Sequence, residues 1–416
     1  SVDLVGNVRP NPVGSNPDMG AYESELGTRT TGNIFYVNTS GNDLNDGTIN
    51  KPFLTIQRGM DRAYNGDTLI VYPGTYTESV DFKTKNVVLG SRYLTTSDTT
   101  YRDSTIINGS VTMNSLDSTA ALIGMMIYKG KVEVNSGSPV LKRLHIRESP
   151  ETGLQLSNVK LAITDIEVKK NTGSVSNHGG GIRVIRSTVS LTRAVVDSNT
   201  ARGGYDGGGL YSNNSHITIT RSQFNDNVGE EGGGIHSIED SSFTMTYSTV
   251  ARDSSSNSGA GMFIDKARQQ VVLENVIVDS NRTQNNGGGI YAENTSLYLK
   301  NTTVTNNRSS YRGGGIHYNQ ESNTYIDTLF VENSVFDGNS ARENGGGISA
   351  YLNYQGNTAL IKNSLFVNNI AFDGSNNYYT SGLMIRSYSN SSAKVINSTI
   401  ASNIGSYALG MIGNNR

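Results

Sequence analysis

The sequence has no cysteine and no tryptophan, only 7 prolines in 416 residues, and no block of like charge. Without cysteine there is neither a disulfide framework nor a thiolate metal centre. The 34 basic and 36 acidic residues leave a formal net charge of −2, which disfavours nucleic acid or an anionic membrane as an electrostatic partner. No apolar run approaches the ~18 residues of a membrane span. No signal peptide precedes Ser1, and the opening residues already read as folded domain, so we expect a processed product or an excised segment. Apolar residues are 35% of the chain, too few for a wide core, whereas glycine is abundant at 47. A thin core of uniform cross-section fits these numbers.

Comparing the chain with itself gives two recurring patterns. One is a glycine run followed by an apolar residue: Gly179-Gly-Gly-Ile182, Gly207-Gly-Gly-Leu210, Gly232-Gly-Gly-Ile235, Gly259-Ala-Gly-Met262, Gly287-Gly-Gly-Ile290, Gly313-Gly-Gly-Ile316 and Gly345-Gly-Gly-Ile348. The other is Asn-x-x-apolar-x-x-Asn, beginning at Asn275, Asn301, Asn333, Asn363 and Asn397. Between them lie alternating stretches such as Ile217-Thr-Ile-Thr, which are half-buried strands by their period of two. Strands recurring with every unit of roughly 25–30 residues, joined by turns too short for crossover helices, leave a coil in which each strand pairs with its copy one turn later. The expected fold is all-β, a parallel β-helix whose coils stack at ~4.8 Å. The glycines serve a repeated tight corner. The five leading asparagines are expected to form a structural ladder, tolerating the left-handed conformation and bonding from coil to coil; Asn301 and Asn397 should be buried.

Near the start, Phe35-Tyr-Val-Asn-Thr-Ser-Gly-Asn-Asp-Leu-Asn-Asp-Gly47 leads through Pro52, Leu54, Ile56, Met60 and Ala63 to Gly66-Asp-Thr68 and Pro73-Gly-Thr-Tyr76. Pro52 at a helix start with the apolar residues near one face predicts a short amphipathic helix covering the open end of the solenoid. Here the sequence resembles the pectate-lyase-like right-handed β-helix proteins, over roughly residues 34–412, and its Gly-Gly-Gly-Ile units resemble bacterial surface proteins of the polymorphic-outer-membrane type. The resemblance implies a right-handed coil and an extracellular or cell-surface location. It constrains function loosely, because this fold hosts lyases, hydrolases, adhesins and phage spikes. Residues 1–26 resemble the closing segment of such proteins but precede the opening cap. We therefore expect three parts: a strap at 1–26, a cap with the first coils at 27–80, and repeats at 81–416. The strap either marks one unit of a tandem array or docks on the last coil of another copy, giving head-to-tail self-association.

Family enzymes of this fold act on acidic polysaccharides with a Lys or Arg base and carboxylate-bound calcium. The outward positions Thr192, Thr220, Thr246, Glu274, Lys300, Glu332 and Lys362 read instead as a threonine ladder followed by cross-strand ion pairs. A second outward series, Arg183, Tyr211, His236, Phe263, Tyr291 and His317, is either a stripe that binds glycan or a partner, or a self-stacking ladder. No two histidines sit at ligand spacing. Asp206, Glu230 and Glu231 in adjacent corners make the best cation cluster, with calcium the ion they suggest; no other cofactor is expected. The corners are short except at Tyr93–Ile106 and Asn319–Thr328, and no groove with converging base and acid is expected. These features favour a non-catalytic structural or adhesive rod, with a polysaccharide lyase or hydrolase as the alternative.

Overall fold

The computed structural model describes residues 32–322, 326–372, 379–388 and 390–414. The strap at 1–26 lies outside them. Each coil repeats one path, shown well by the stretch from Ile182 to Asn199. In strand Ile182–Ile185, Ile182 and Val184 are buried, and Arg186 turns the chain at φ 46°. Strand Thr188–Thr192 then buries Val189 and Leu191 before Arg193 turns at φ 55°. Strand Val195–Asp197 buries Val196 and ends at Ser198, φ 57°. Alternation puts one side of each strand on a shared apolar axis and the other on the surface.

Coil lies on coil in register, all parallel. Ile182 pairs with Leu210, then Ile235, Met262, Ile290, Ile316, Ile348 and Leu383 follow in one column. Among the described residues a 26-stranded sheet bends through Leu154–Thr164 to supply two faces, and a 13-stranded sheet supplies the third. Parallel connections of this kind run right-handed, which fixes the hand of the coil. Identical rings also stack inside the core: Phe336 and Phe366 are 4.7 Å apart and nearly coplanar at 3°. The glycine corner is tight enough to exclude a side chain. Gly287 holds φ 67°, and a Cβ on Gly288 would meet the Gly314 carbonyl oxygen at 2.4 Å.

The capping helix α1 spans Ile56–Arg62 and buries Ile56, Gly59 and Met60. It begins later than Pro52 suggests, and Leu54 is exposed outside it. Its start is fixed by polar groups: the Thr55 hydroxyl accepts from Arg58 N, and the Glu78 carboxylate accepts from Ile56 N and Gln57 N at 2.8 and 2.9 Å. Asp43 accepts from Leu54 N and Thr55 N, while Asn42 and Asp46 close short turns on Leu44 and Thr48.

The asparagine ladder needs a correction. Asn275, Asn301, Asn333, Asn363 and Asn397 do stack in one column, each at a left-handed corner with φ between 47° and 55°. Yet Asn301, Asn333, Asn363 and Asn397 are exposed, because the side chain of a left-handed corner residue projects away from the bend. The buried ladder is the closing asparagine of the motif, which follows the next corner: Asn171, Asn199, Asn227, Asn281, Asn307, Asn339 and Asn369. Asn281 is typical. Its Nδ2 donates to Asn307 Oδ1 at 2.9 Å and to the Val250 carbonyl at 3.0 Å, and its amide N donates to the same Oδ1 at 3.0 Å. Full pairing makes burial of the amide affordable where an unpaired amide would cost about 1–3 kcal/mol.

Candidate functional site

The outward series after the glycine corner forms a continuous stack of rings. Tyr211, His236, Phe263, Tyr291 and His317 follow each other at centroid separations of 5.3, 4.8, 4.9 and 5.4 Å. Most neighbours are near-parallel, with 20°, 12° and 27° between the last three pairs. The ring faces therefore meet one another, and each residue is only 3–8% exposed. Arg183 shares the backbone column with Tyr211 and buries an unpartnered Nε. Two further rings extend the stack: His178 lies 4.5 Å from Tyr211, and Tyr351 lies 5.6 Å from His317. Column counting misses both, since His178 comes from the loop before a glycine run and Tyr351 from a neighbouring column.

Ionisable groups line one edge of this stack. Asp206 Oδ2 lies 3.1 Å from His178 Nδ1 and 3.8 Å from His236 Nδ1, so two histidines far apart in sequence converge on one carboxylate. The loop folds His178 back over Tyr211 and so brings a second imidazole to this carboxylate, a meeting that sequence spacing does not show. Glu231 joins Asp206 and His236, with ligand atoms of all three within 4.8 Å. Glu230 faces elsewhere, lining a shallow depression with Gly204, Arg282 and Thr283. Burial, then repulsion from Asp206 and Glu230, pushes Glu231 up to about 7. Glu293, beside Asp265 and Glu321, is likewise pushed up to about 7, chiefly by burial. Burial lowers His236 to about 4 and His317 to about 3.

A second site stands where the coil is interrupted. Two short helices, α2 (Tyr93–Thr96) and α3 (Thr100–Ser104), wall a cavity of about 280 Å³ lined by Tyr93, Thr99, Thr100, Arg102, Asp103, Gly124, Arg143 and Asp165. The long stretch from Tyr93 was the visible signal; its pairing with corner residues two coils on was not. The Arg143 guanidinium sits 5.0 Å from the Tyr93 ring, and its Nε is buried without a partner. Its neighbours are already paired. Arg102 binds Asp103 and Glu167 at 2.9 and 2.8 Å, and Arg193 binds Asp165 through two bonds of 2.6 and 3.0 Å. His145 Nδ1 lies 3.1 Å from Asp103 Oδ1. The Arg102 hydrogen bond holds Asp103 below the usual carboxylate range, Arg193 does the same for Asp165, and burial keeps His145 below its ordinary value. At neutral pH this cluster thus holds ionised acids, a neutral imidazole and no carboxylic acid ready to give a proton. The converging cluster corrects the expectation that no such groove exists.

On the outer second face, Thr220 and Thr246 hydroxyls are 3.2 Å apart and Lys300 lies 3.6 Å from Glu274, the cross-strand pairs expected from the sequence. Among the described residues no helix is long and apolar enough to cross a membrane.

Comparison with known proteins agrees with this architecture. Residues 132–334 match the right handed beta helix region, and residues 333–351 match the Chlamydia polymorphic membrane protein repeat. A curated relative, the uncharacterized protein YwoF of Bacillus subtilis (strain 168), is 40% identical over 53 residues, 13% of this chain and 11% of that protein. Among solved structures, pectate lyase Pel9A has 13% identity and a TM-score of 0.42, covering 71% of this chain and 80% of its own. A mannuronic acid specific polysaccharide family 6 lyase from human gut microbiota has 11% identity, a TM-score of 0.39 and coverages of 85% and 87%. The mannuronan C-5 epimerase AlgE4 A-module of Azotobacter vinelandii has 13% identity, a TM-score of 0.35 and coverages of 87% and 94%. None of these likenesses bears on what this chain acts on. With its in-register coils and the match over residues 132–334, the chain is a right-handed parallel β-helix.

Proposed function

We propose that this chain is an exported, non-catalytic adhesive rod that holds an acidic glycan in the cavity between Tyr93 and Arg143. One observation carries the reading: Arg143 has no hydrogen-bonded or ion-paired side-chain partner among the described residues, while its guanidinium lies over an aromatic ring inside a walled cavity. A guanidinium that makes no hydrogen bond or ion pair, with Asp165 acting on it only from a distance, suits with its neighbouring ring a sugar carboxylate, which takes the charge, and a sugar face, which takes the ring. Asp103 and Asp165 are already ion-paired with Arg102 and Arg193, which leaves Arg143 to meet the ligand. Glycan binding along the ring stack is less favoured, because the ring faces are already occupied by one another.

Equilibrium binding of a polyuronate and of a neutral polymer tests this. The polyuronate should bind and the neutral polymer should not, and Arg143→Gln should weaken binding at least about tenfold. Equal binding of both polymers, or formation of unsaturated or reducing ends on incubation, would overturn it in favour of a non-specific surface or a lyase or hydrolase.

The last described coil supports a second part of the proposal. Leu409 and Met411 pair with Leu383 and Ile385, yet are 41% and 49% exposed where those partners are at most 1%. Such a face accepts a further coil, and we assign that role to residues 1–26 of a second copy. Electron microscopy of the full chain should show filaments that vanish when residues 1–26 are deleted; filaments unchanged by the deletion refute strap docking.

A further inference from the structure

We propose that Asp206, Glu231 and His236 form a binding site for one divalent transition-metal ion of the zinc class. The coil builds the site by repetition. The residue just before the glycine run is His178, Asp206 and Glu231 in three successive coils, kept in one column by Gly179 N donating to Asp206 O and Gly207 N to Glu231 O, each at 2.9 Å. The same column continues as Ser258, Asn286 and Arg312, none of them a zinc-ligand type, so in this column the ligands gather at one level. His236 enters from the adjacent face.

The independent pointer to a ligand is the state of His236. The residue is 3% exposed, and Nδ1 has no hydrogen-bond partner. Stacking between Tyr211 and Phe263 fixes the plane of its ring, which keeps the ring nitrogens at the edge of the stack. The nitrogen faces Asp206 Oδ2 at 3.8 Å, beyond hydrogen-bonding reach. An ion with bonds of about 2.0–2.1 Å holds its ligand atoms about 3–4 Å apart, so this separation suits two ligands of one metal better than a donor and its acceptor. Asp206 is oriented from its other side, with Oδ1 accepting Glu231 N at 3.1 Å and His178 Nδ1 standing 3.1 Å from Oδ2. A buried imidazole with two carboxylates selects zinc-class ions; calcium takes six to eight oxygens and gains nothing from a ring nitrogen. The calcium cluster read from the sequence thus becomes a mixed nitrogen and oxygen site, with Glu230 outside it.

The test uses the full chain after chelation and dialysis. Titration with Zn²⁺ by calorimetry, and with Co²⁺ by visible absorption, should give one ion per chain and ligand-field bands of a low-coordinate site, and an excess of Ca²⁺ should not compete. His236→Phe repeats the residue that the next coil already places in the stack, so it should leave the metal-free melting curve unchanged while weakening Zn²⁺ at least about 100-fold. Asp206→Asn should weaken it likewise, and Glu230→Gln should not. Absence of stoichiometric Zn²⁺ uptake by the parent chain, parental affinity in His236→Phe, or Ca²⁺ binding as tight as Zn²⁺ would each overturn the proposal.

Discussion

Asp253 occupies a position in the buried amide ladder that every neighbouring coil gives to asparagine, and Asp253→Asn should stabilise the protein. Asp253 Oδ1 accepts from Asn227 N and Nδ2 at 2.7 and 2.9 Å, as an asparagine oxygen would. Oδ2, however, is buried with no partner. In the flanking coils the corresponding atom is an Nδ2 that donates twice, to the next ladder oxygen and to a carbonyl such as Val250 O. The substitution therefore removes an unmatched acceptor and restores two donors, worth about 2–4 kcal/mol at neutral pH. Its pH dependence has a definite sign. Burial raises the Asp253 carboxyl well above its ordinary value, so folding favours the protonated form. The associated penalty is absent below the unfolded value of about 4 and grows as pH rises toward the folded value, by at most about 1.4 kcal/mol per unit. The gap between Asp253→Asn and the parent should thus be smallest near pH 4 and widen toward pH 7.5. Denaturant midpoints at several pH values would measure it, with amide exchange over residues 225–285 reporting the local coils, since solenoids need not unfold in one step. A variant no more stable than the parent at pH 7.5, or a gap that narrows with rising pH, would refute the reasoning.

Three further substitutions probe the corners. Asn307→Ala strips the Asn281 amide groups of their acceptor and should cost about 2–4 kcal/mol in denaturant melts, whereas Asn301→Gly at the exposed left-handed corner should change stability by under about 0.5 kcal/mol. Gly288→Ala forces a methyl against the Gly314 carbonyl oxygen and the Arg308 backbone, and should cost about 3 kcal/mol or prevent folding, read by circular dichroism. Tyr93→Ala should weaken polyuronate binding severalfold through loss of the ring beneath Arg143, with the thermal midpoint little changed, as measured by calorimetry beside a melting curve.

The repeat made most of the fold legible. A period of two between glycine corners specified the strands, and the identity of Ile290, Ile316 and Ile348 specified their stacking partners. What misled was the choice between two equally spaced asparagines. Asn301 and Asn307 look alike in sequence, but only the second follows a corner that turns its side chain inward. The functional clusters were harder to read because they break the repeat. His178 reaches Tyr211 through a loop, and Arg143 meets Tyr93 across an excursion that no column predicts. Periodicity reveals what every coil shares, whereas chemistry here gathers where one coil departs from its neighbours.

The amide ladder also has a sense of direction. Asn281 gives one Nδ2 hydrogen to Asn307, Asn307 to Asn339 and Asn339 to Asn369, so the amide-to-amide bonds all point forward along the chain. Reversing any single amide would set oxygen against oxygen on one side and hydrogen against hydrogen on the other, so the series behaves as a polar wire with unlike poles. Whatever extends this rod must arrive the same way round, and a copy presented upside down would find the wrong pole.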